Sequence, residues 1–422
     1  MRHWPLVLAG LVAWGCSERE RSNPLDPLNP ITHGAPTGFA AVTNRDTARL
    51  SWNPVDVSSL ESYRLQRSVA GAPYEALASV APNLTHFTDA PLNYDTRYVY
   101  TVQAITQFGE SLPSPADTTV PGPHNFWVAD FNGGGVSRLS YDGGHVLDQD
   151  QMQFNSPEAV AYQPGSSLVW VADYYARSVL GLDMALKEVT RVVLEGLPIE
   201  LVLATTGNAV YILQRLPGLV IVVDDRGEIL ETIKTPGQVG IDGSLAFDPV
   251  TQSLWLGPAA STTDGSVYRL ALDGAREWVL AATVPTMRRL AADPVNGGCW
   301  VATDSGVVRI AAEGTERRYV PEVQVWDVSV NAANGDCYFA GQVAAEERWQ
   351  VGRIHGIAQD QVAIILDGTY DTLLRIQVLP GEGQRGFLTT QWSTGRLLRF
   401  DGDGMLMSRM DGFGFPLEFA VE

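Results

Sequence analysis

Between residues 124 and 422 one hydrophobic pattern recurs seven times: a short apolar strand, a turn, then a second strand built around an aromatic residue. The clearest copy reads Pro157-Glu158-Ala159-Val160-Ala161-Tyr162 followed by Leu168-Val169-Trp170-Val171-Ala172-Asp173. Phe126-Trp127-Val128-Ala129-Asp130 is a second half with no first half before it. The last residues, Phe415-Pro416-Leu417-Glu418-Phe419-Ala420-Val421-Glu422, are a first half with nothing after it. The two orphans complete one another, so the pattern predicts a ring closed by pairing the ends of the repeat region.

The aromatic anchor recurs as Trp127, Trp170, Tyr211, Trp255, Trp300 and Tyr338, with Leu388 in the seventh copy. Spacings of 38 to 50 residues suit one four-stranded sheet per repeat. Acidic-glycine turns follow the third strands, as at Asp142-Gly143, Asp225-Arg226-Gly227, Asp273-Gly274, Glu313-Gly314 and Asp401-Gly402. First strands pair a large with a small residue, as in Leu245-Ala246 and Leu290-Ala291, the alternation a tapering ring requires. The repeat Pro-x-x-Val-Ala…Val-Trp-Val-Ala-Asp…Val-x-x-Leu-Asp resembles NHL-type, or YncE-like, β-propeller units. That resemblance implies a seven-bladed β-propeller over 122–422, closed by the C-terminal strand, and says little about activity, because such rings carry many functions.

Residues 36–121 predict seven short strands, among them Ala48-Arg49-Leu50-Ser51-Trp52 and Tyr98-Val99-Tyr100-Thr101-Val102-Gln103-Ala104. With Pro36, Trp52, Phe87-Thr88-Asp89, Leu92 and the closing Gly109-Glu110-Ser111, this stretch resembles a fibronectin type III domain. The resemblance implies an all-β sandwich acting as a spacer, with Tyr98 as its corner tyrosine.

Upstream, Arg2 and His3 precede an apolar run, Pro5 to Trp14, of signal-peptide length. It ends in Ala13-Trp14-Gly15-Cys16, which resembles a bacterial lipobox in residues 1–16 and implies lipidation of Cys16. Ala13 and Trp14 depart from the usual residues there, and an ordinary secretory signal is the alternative. Ser17 after the cysteine resembles an outer-membrane address, so the expected location is exported and lipid-anchored at the outer membrane or cell surface, or else secreted or periplasmic. Residues 17–35, with Pro24, Pro27 and Pro30, predict an extended, mobile tether.

A net charge of −19 without a basic cluster disfavours nucleic acid and anionic lipid. Membrane contact is therefore expected through the anchor alone. Beyond Cys16 only Cys299 and Cys337 remain, at equivalent places in neighbouring repeats, and two buried free thiols are expected.

Aligning the first strands puts Ala159, Glu200, Ser244, Arg289, Asp327, Arg375 and Glu418 at the mouth of the ring's channel. Mixed charge in a narrow opening suits a zwitterionic or polar ligand, or an ion-pair ring that neutralises itself. The ends of the second strands add Asp130, Phe131, Asp173, Tyr174, Tyr175, Gln214, Arg215, Asp304, Gln391 and Trp392. Aromatics beside carboxylates are the composition of peptide- and sugar-binding surfaces. Some propeller hydrolases hold a calcium or zinc ion in the channel, and Glu200, Asp327 and Glu418 offer oxygen donors to a divalent cation such as Ca2+. Arg289 and Arg375 in the same ring oppose that. No catalytic signature accompanies these residues: the histidines are scattered, and Asp401-Gly402-Asp403-Gly404 lacks the remaining ligands of a calcium loop.

The expected protein is thus a monomeric binding platform for a protein, peptide or glycan, without a resident cofactor. A metal-dependent propeller hydrolase or lyase and a structural envelope component are the alternatives.

Overall fold

The computed structural model describes residues 21–150, 154–204, 208–260, 265–274, 276–356, 361–380 and 386–422. The apolar N-terminal run and Cys16 lie outside the described residues. Among the described residues no helix is long and apolar enough to cross a membrane. The chain divides into two compact units.

Residues 23–35 correct one expectation, for they fold into successive turns rather than an extended tether. Each Asx-Pro step closes on itself: Asn23 Oδ1 accepts the Leu25 amide, Asp26 Oδ1 the Leu28 amide, and Asn29 Oδ1 those of Ile31 and Thr32. Proline holds φ near −65° while the preceding Asx side chain replaces a backbone acceptor. Buried Asn29 gathers the segment by donating to the carbonyls of Arg21 and Asn23.

The strands upstream of residue 120 form two antiparallel sheets. Ala40–Asn44, Thr47–Ser51 and His86–Asp89 make one. Glu75–Val80, Leu60–Val69, Tyr98–Thr106 and Gly109–Glu110 make the other, with Asp117–Thr119 also on Tyr98–Thr106. Gly109–Glu110 and Asp117–Thr119 are separate strands, since Pro113 and Pro115 between them cannot donate to a ladder. Leu50, Trp52, Tyr63, Leu65, Tyr100 and Val102 are buried here, and Trp52 meets Tyr63 edge-on at 5.2 Å. Tyr98 is buried and stacks beside Tyr100.

The larger unit holds seven four-stranded antiparallel sheets. Sheet one consists of Phe126–Asp130, Gly135–Leu139 and Val146–Asp150, with the C-terminal strand Pro416–Val421 paired to Phe126–Asp130. Each other sheet is sequential, beginning at Pro157–Gln163, Leu197–Leu203, Ser244–Asp248, Met287–Ala292, Val323–Val330 and Leu373–Val378. First strands of consecutive sheets touch, and Pro416–Val421 touches those of both sheets two and seven. The fold is all-β and propeller-like.

All seven anchors are buried, and register explains what accompanies them. The residue opposite Trp127, Trp255, Trp300, Tyr338 and Leu388 on the third strand is Arg138, Arg269, Arg309, Arg353 and Arg399. Four of these guanidiniums lie 5.4 to 6.0 Å from their own anchor ring, and Arg399 lies 5.4 Å from Tyr141 instead. A cation over an indole face is favourable when desolvated. Arg309 also pairs with buried Asp293 at 3.1 Å. The recurring Val-x-Arg of the third strands carried this signal, which the anchor pattern alone does not reveal.

The acidic turns are self-capping. Asp224, one residue before the expected Asp225, accepts the amides of Arg226 and Glu228, and Asp401 accepts those of Asp403 and Met405. Cys299 and Cys337 are buried free thiols, and burial pushes both above the ordinary thiol range.

Candidate functional site

The first strands carry a β-bulge near their start in six sheets; in five it falls just before the expected channel residue, and in sheet seven it contains that residue, Arg375. Past the bulge, Ala159, Glu200, Arg289, Asp327 and Glu418 each lie opposite the residue two beyond the anchor. Ser244, in the unbulged fourth sheet, lies opposite Gly257, also two past its anchor. Six of the seven aligned residues therefore share one register position, and Arg375 does not.

Four of the charged residues converge. Arg289 is the hub: it lies 3.3 Å from Glu200 and 3.9 Å from Asp327, and it donates a short hydrogen bond to Glu418. Ser244 Oγ donates to Glu200 at 3.3 Å, while Asp327 accepts the amides of Val328 and Ile376. Arg375 stands apart from this hub. It falls within the bulge between Leu373 and Ile376, and it donates to the carbonyls of Leu417 and Leu374.

Desolvation dominates the electrostatics. Burial pushes the Glu200 carboxyl up to about 8, with Arg289 pulling down and Glu418 pushing up. Asp327 rises to about 6 for the same reason, against Arg289 and Arg375. For Arg289 burial works against the charge, but Glu200, Glu418 and Asp327 together drive its pKa above the ordinary guanidinium value. The place between the three carboxylates is filled by a guanidinium. That donor set does not fit a divalent cation, because the ligands proposed for it already neutralise Arg289. Among the described residues no group of three or more His, Cys, Asp or Glu side chains is arranged to hold a metal ion.

The bulges set aside side chains that the alignment missed: Glu158, Arg288 and Trp326 are residues skipped by the ladder. Arg288 stacks 3.7 Å from the Trp326 ring and pairs with Asp304. Glu158 forms no hydrogen bond or ion pair among the described residues; burial lifts its carboxyl to about 7, against the pull of Arg375 and Arg289. A bulge shifts facing by one residue, so period-two reading cannot locate such positions.

Three of the expected rim residues serve the fold instead. Asp130 is buried and accepts the amides of Gly133, Gly414 and Phe415, which ties the turn of sheet one to the start of the C-terminal strand. Asp173, also buried, accepts those of Asn155, Ser156 and Ala176. Both carboxylates are spent on backbone donors. Tyr174 is buried as well, its hydroxyl accepting from Arg215 at 2.8 Å.

Trp392 is open, at 47% exposure, and so is Tyr175 at 60%. They end one continuous chain of rings. Tyr175 meets Tyr174 at 4.9 Å, Tyr174 meets Phe131 at 6.1 Å, Phe131 meets Phe415 at 6.5 Å, and Phe415 meets Trp392 at 5.5 Å. This arc crosses sheets two, one and seven on the side where the first strands begin. Its middle is held by packing and by Asp130, while its two ends face solvent.

No protein-family model matches the chain, and no curated protein matches it. Solved structures do. The periplasmic gluconolactonase of Pseudomonas aeruginosa superposes with a TM-score of 0.52 at 17% identity, over 71% of this chain and 98% of that one. Hydrazine synthase of Kuenenia stuttgartiensis superposes with a TM-score of 0.50 at 15% identity, over 60% of this chain and 78% of that one. Both are propeller-like proteins. At such identities the likeness is one of fold.

Proposed function

We propose that this chain is an exported binding platform: a seven-bladed β-propeller closed by its C-terminal strand, carried behind a fibronectin type III spacer and held to the outer membrane or cell surface through lipidated Cys16. It works as a monomer, without a resident cofactor, on a protein, peptide or glycan. It contacts the membrane through its anchor alone and does not bind nucleic acid. The observation that carries this reading is the aromatic arc, with rigid interior rings and exposed ends at Tyr175 and Trp392. Large rings held in place present contact area at little entropic cost. The part-buried Glu158 and the Arg288–Trp326 pair add polar and stacking groups.

The metal-dependent hydrolase reading is not favoured, because Arg289 occupies the centre of its ligand set.

Arrays of peptides and of glycans identify the ligand, and Tyr175→Ala and Trp392→Ala test the face. Truncating an aromatic anchor of an interface costs about 2 kcal/mol or more, roughly thirtyfold in affinity. Both variants are expected to melt like the parent, since neither ring is buried. Unchanged affinity in both for a ligand the parent holds removes the arc from the interface.

A further inference from the structure

A cavity among the described residues is left unassigned by the channel-face reading. Between sheets six and seven opens a cleft of about 400 Å³, within the range of small-ligand sites. It is lined by Trp349 and Tyr370 together with Glu347, Arg348, Asp371 and Gln391. The two rings are fixed from behind: Trp349 stacks on Trp326 at 6.1 Å, and Tyr370 meets Phe400 edge-on at 5.3 Å.

The polar groups are also preset. Gln391, only 8% exposed, donates through Nε2 to Asp371 Oδ1, and Ser393 Oγ donates to the same oxygen at 3.2 Å. Asp371 Oδ2 accepts nothing among the described residues, so an oriented carboxylate oxygen faces the solvent side. Glu347 likewise has no hydrogen bond or ion pair there. Arg348 is occupied by Glu346 and Asp367. Two unpaired carboxylates beside a neutralised guanidinium repel anions. What remains is hydrogen-bond acceptors and a side-chain amide beside aromatic rings, the groups that match vicinal hydroxyls on an apolar sugar face.

Resting on the reading of the channel face as a binding platform, we propose that this cleft is a carbohydrate subsite for an uncharged sugar ring of a glycan. Trp392 directly follows Gln391, so a chain leaving the cleft reaches the exposed end of the aromatic arc. Because Asp371, in the bend before Leu373–Val378, is held by two donors, little ordering is needed on binding.

The test is titration of the purified full chain with cellotriose, maltotriose and chitotriose, followed by tryptophan fluorescence. At least one sugar is expected to give a saturable change. Asp371→Ala is expected to weaken it roughly tenfold, the loss of a hydrogen bond to a charged acceptor. Val193→Ala, at an exposed position of sheet two outside the arc and the cleft, should leave it within about twofold. Should Asp371→Ala fail to fold, Asp371→Asn keeps the shape and is expected to weaken binding in the same direction. If no sugar changes the fluorescence, or if the Asp371 variants bind like the parent, the subsite is overturned. Peptide binding on arrays that Tyr175→Ala abolishes, with no response to sugar, overturns the cleft while leaving the platform standing; binding to neither class removes both.

Discussion

Replacing Arg289 by methionine removes the cation that pairs with Glu200, Asp327 and Glu418, at similar length and without adding a polar group. Breaking a buried pair by deleting one partner costs about 3–5 kcal/mol, because the other charge is left uncompensated. Here the cost depends on pH. A carboxyl whose pKa climbs from 4.5 to about 8, as burial drives Glu200, costs on the order of 5 kcal/mol to ionise in place. Its folded pKa lies above the unfolded one, so its contribution is fully present below 4.5 and is lost as pH rises through about 8. Asp327 behaves alike between 3.8 and about 6. Without Arg289 the Glu200 and Asp327 carboxyls hold protons more tightly, and at about pH 5 both are largely neutral. There the variant lacks only hydrogen bonds, about 1–2 kcal/mol. At about pH 8 the full uncompensated cost applies. For a ring of roughly 300 residues, 1 kcal/mol corresponds to a melting shift of about 1.6 °C. The expected loss is therefore about 5–8 °C at the higher pH and about 2–3 °C at the lower, read by differential scanning calorimetry on parent and variant. Equal losses at both pH values, or none at the higher, would refute the claim that an arginine hub holds these carboxylates together.

Two further outcomes follow from the packing. Deleting residues 416–422 removes the strand paired to Phe126–Asp130 and the acceptor Glu422 beneath Arg138, and it bares a sheet edge. The truncated chain is expected to melt lower and to aggregate in size-exclusion chromatography; a monomer with parental melting would remove the C-terminal strand from the architecture. Cys299 and Cys337, buried with their thiols held protonated, should resist a thiol reagent in the native chain at neutral pH and react together once it is denatured. Rapid native labelling of either would contradict the burial described.

The sequence by itself determined the repeat and its level. Period-two strands around Trp127, Trp170, Trp255 and Trp300 had to be buried between neighbouring sheets, because nothing smaller than a stack of such units hides those rings. The same alignment brought Glu200, Arg289, Asp327 and Glu418 to one height, where the structure joins four of them. Only the tertiary structure decided which groups remain free for a ligand. Asp130 and Asp173 look like rim carboxylates in the sequence, yet loop amides from elsewhere claim their oxygens. Glu158, Arg288 and Trp326 fall in bulges, which strand periodicity cannot register. The Asx-Pro steps at 23–35 show the same limit at short range, since proline alone reads as extended while the side-chain bond that turns it is a matter of geometry. Burial pattern is a property of spacing along the chain, and so it is legible there. Satisfaction of a polar group depends on partners remote in sequence, such as Arg289 and Glu418 or Asp130 and Phe415, and only folding brings those together.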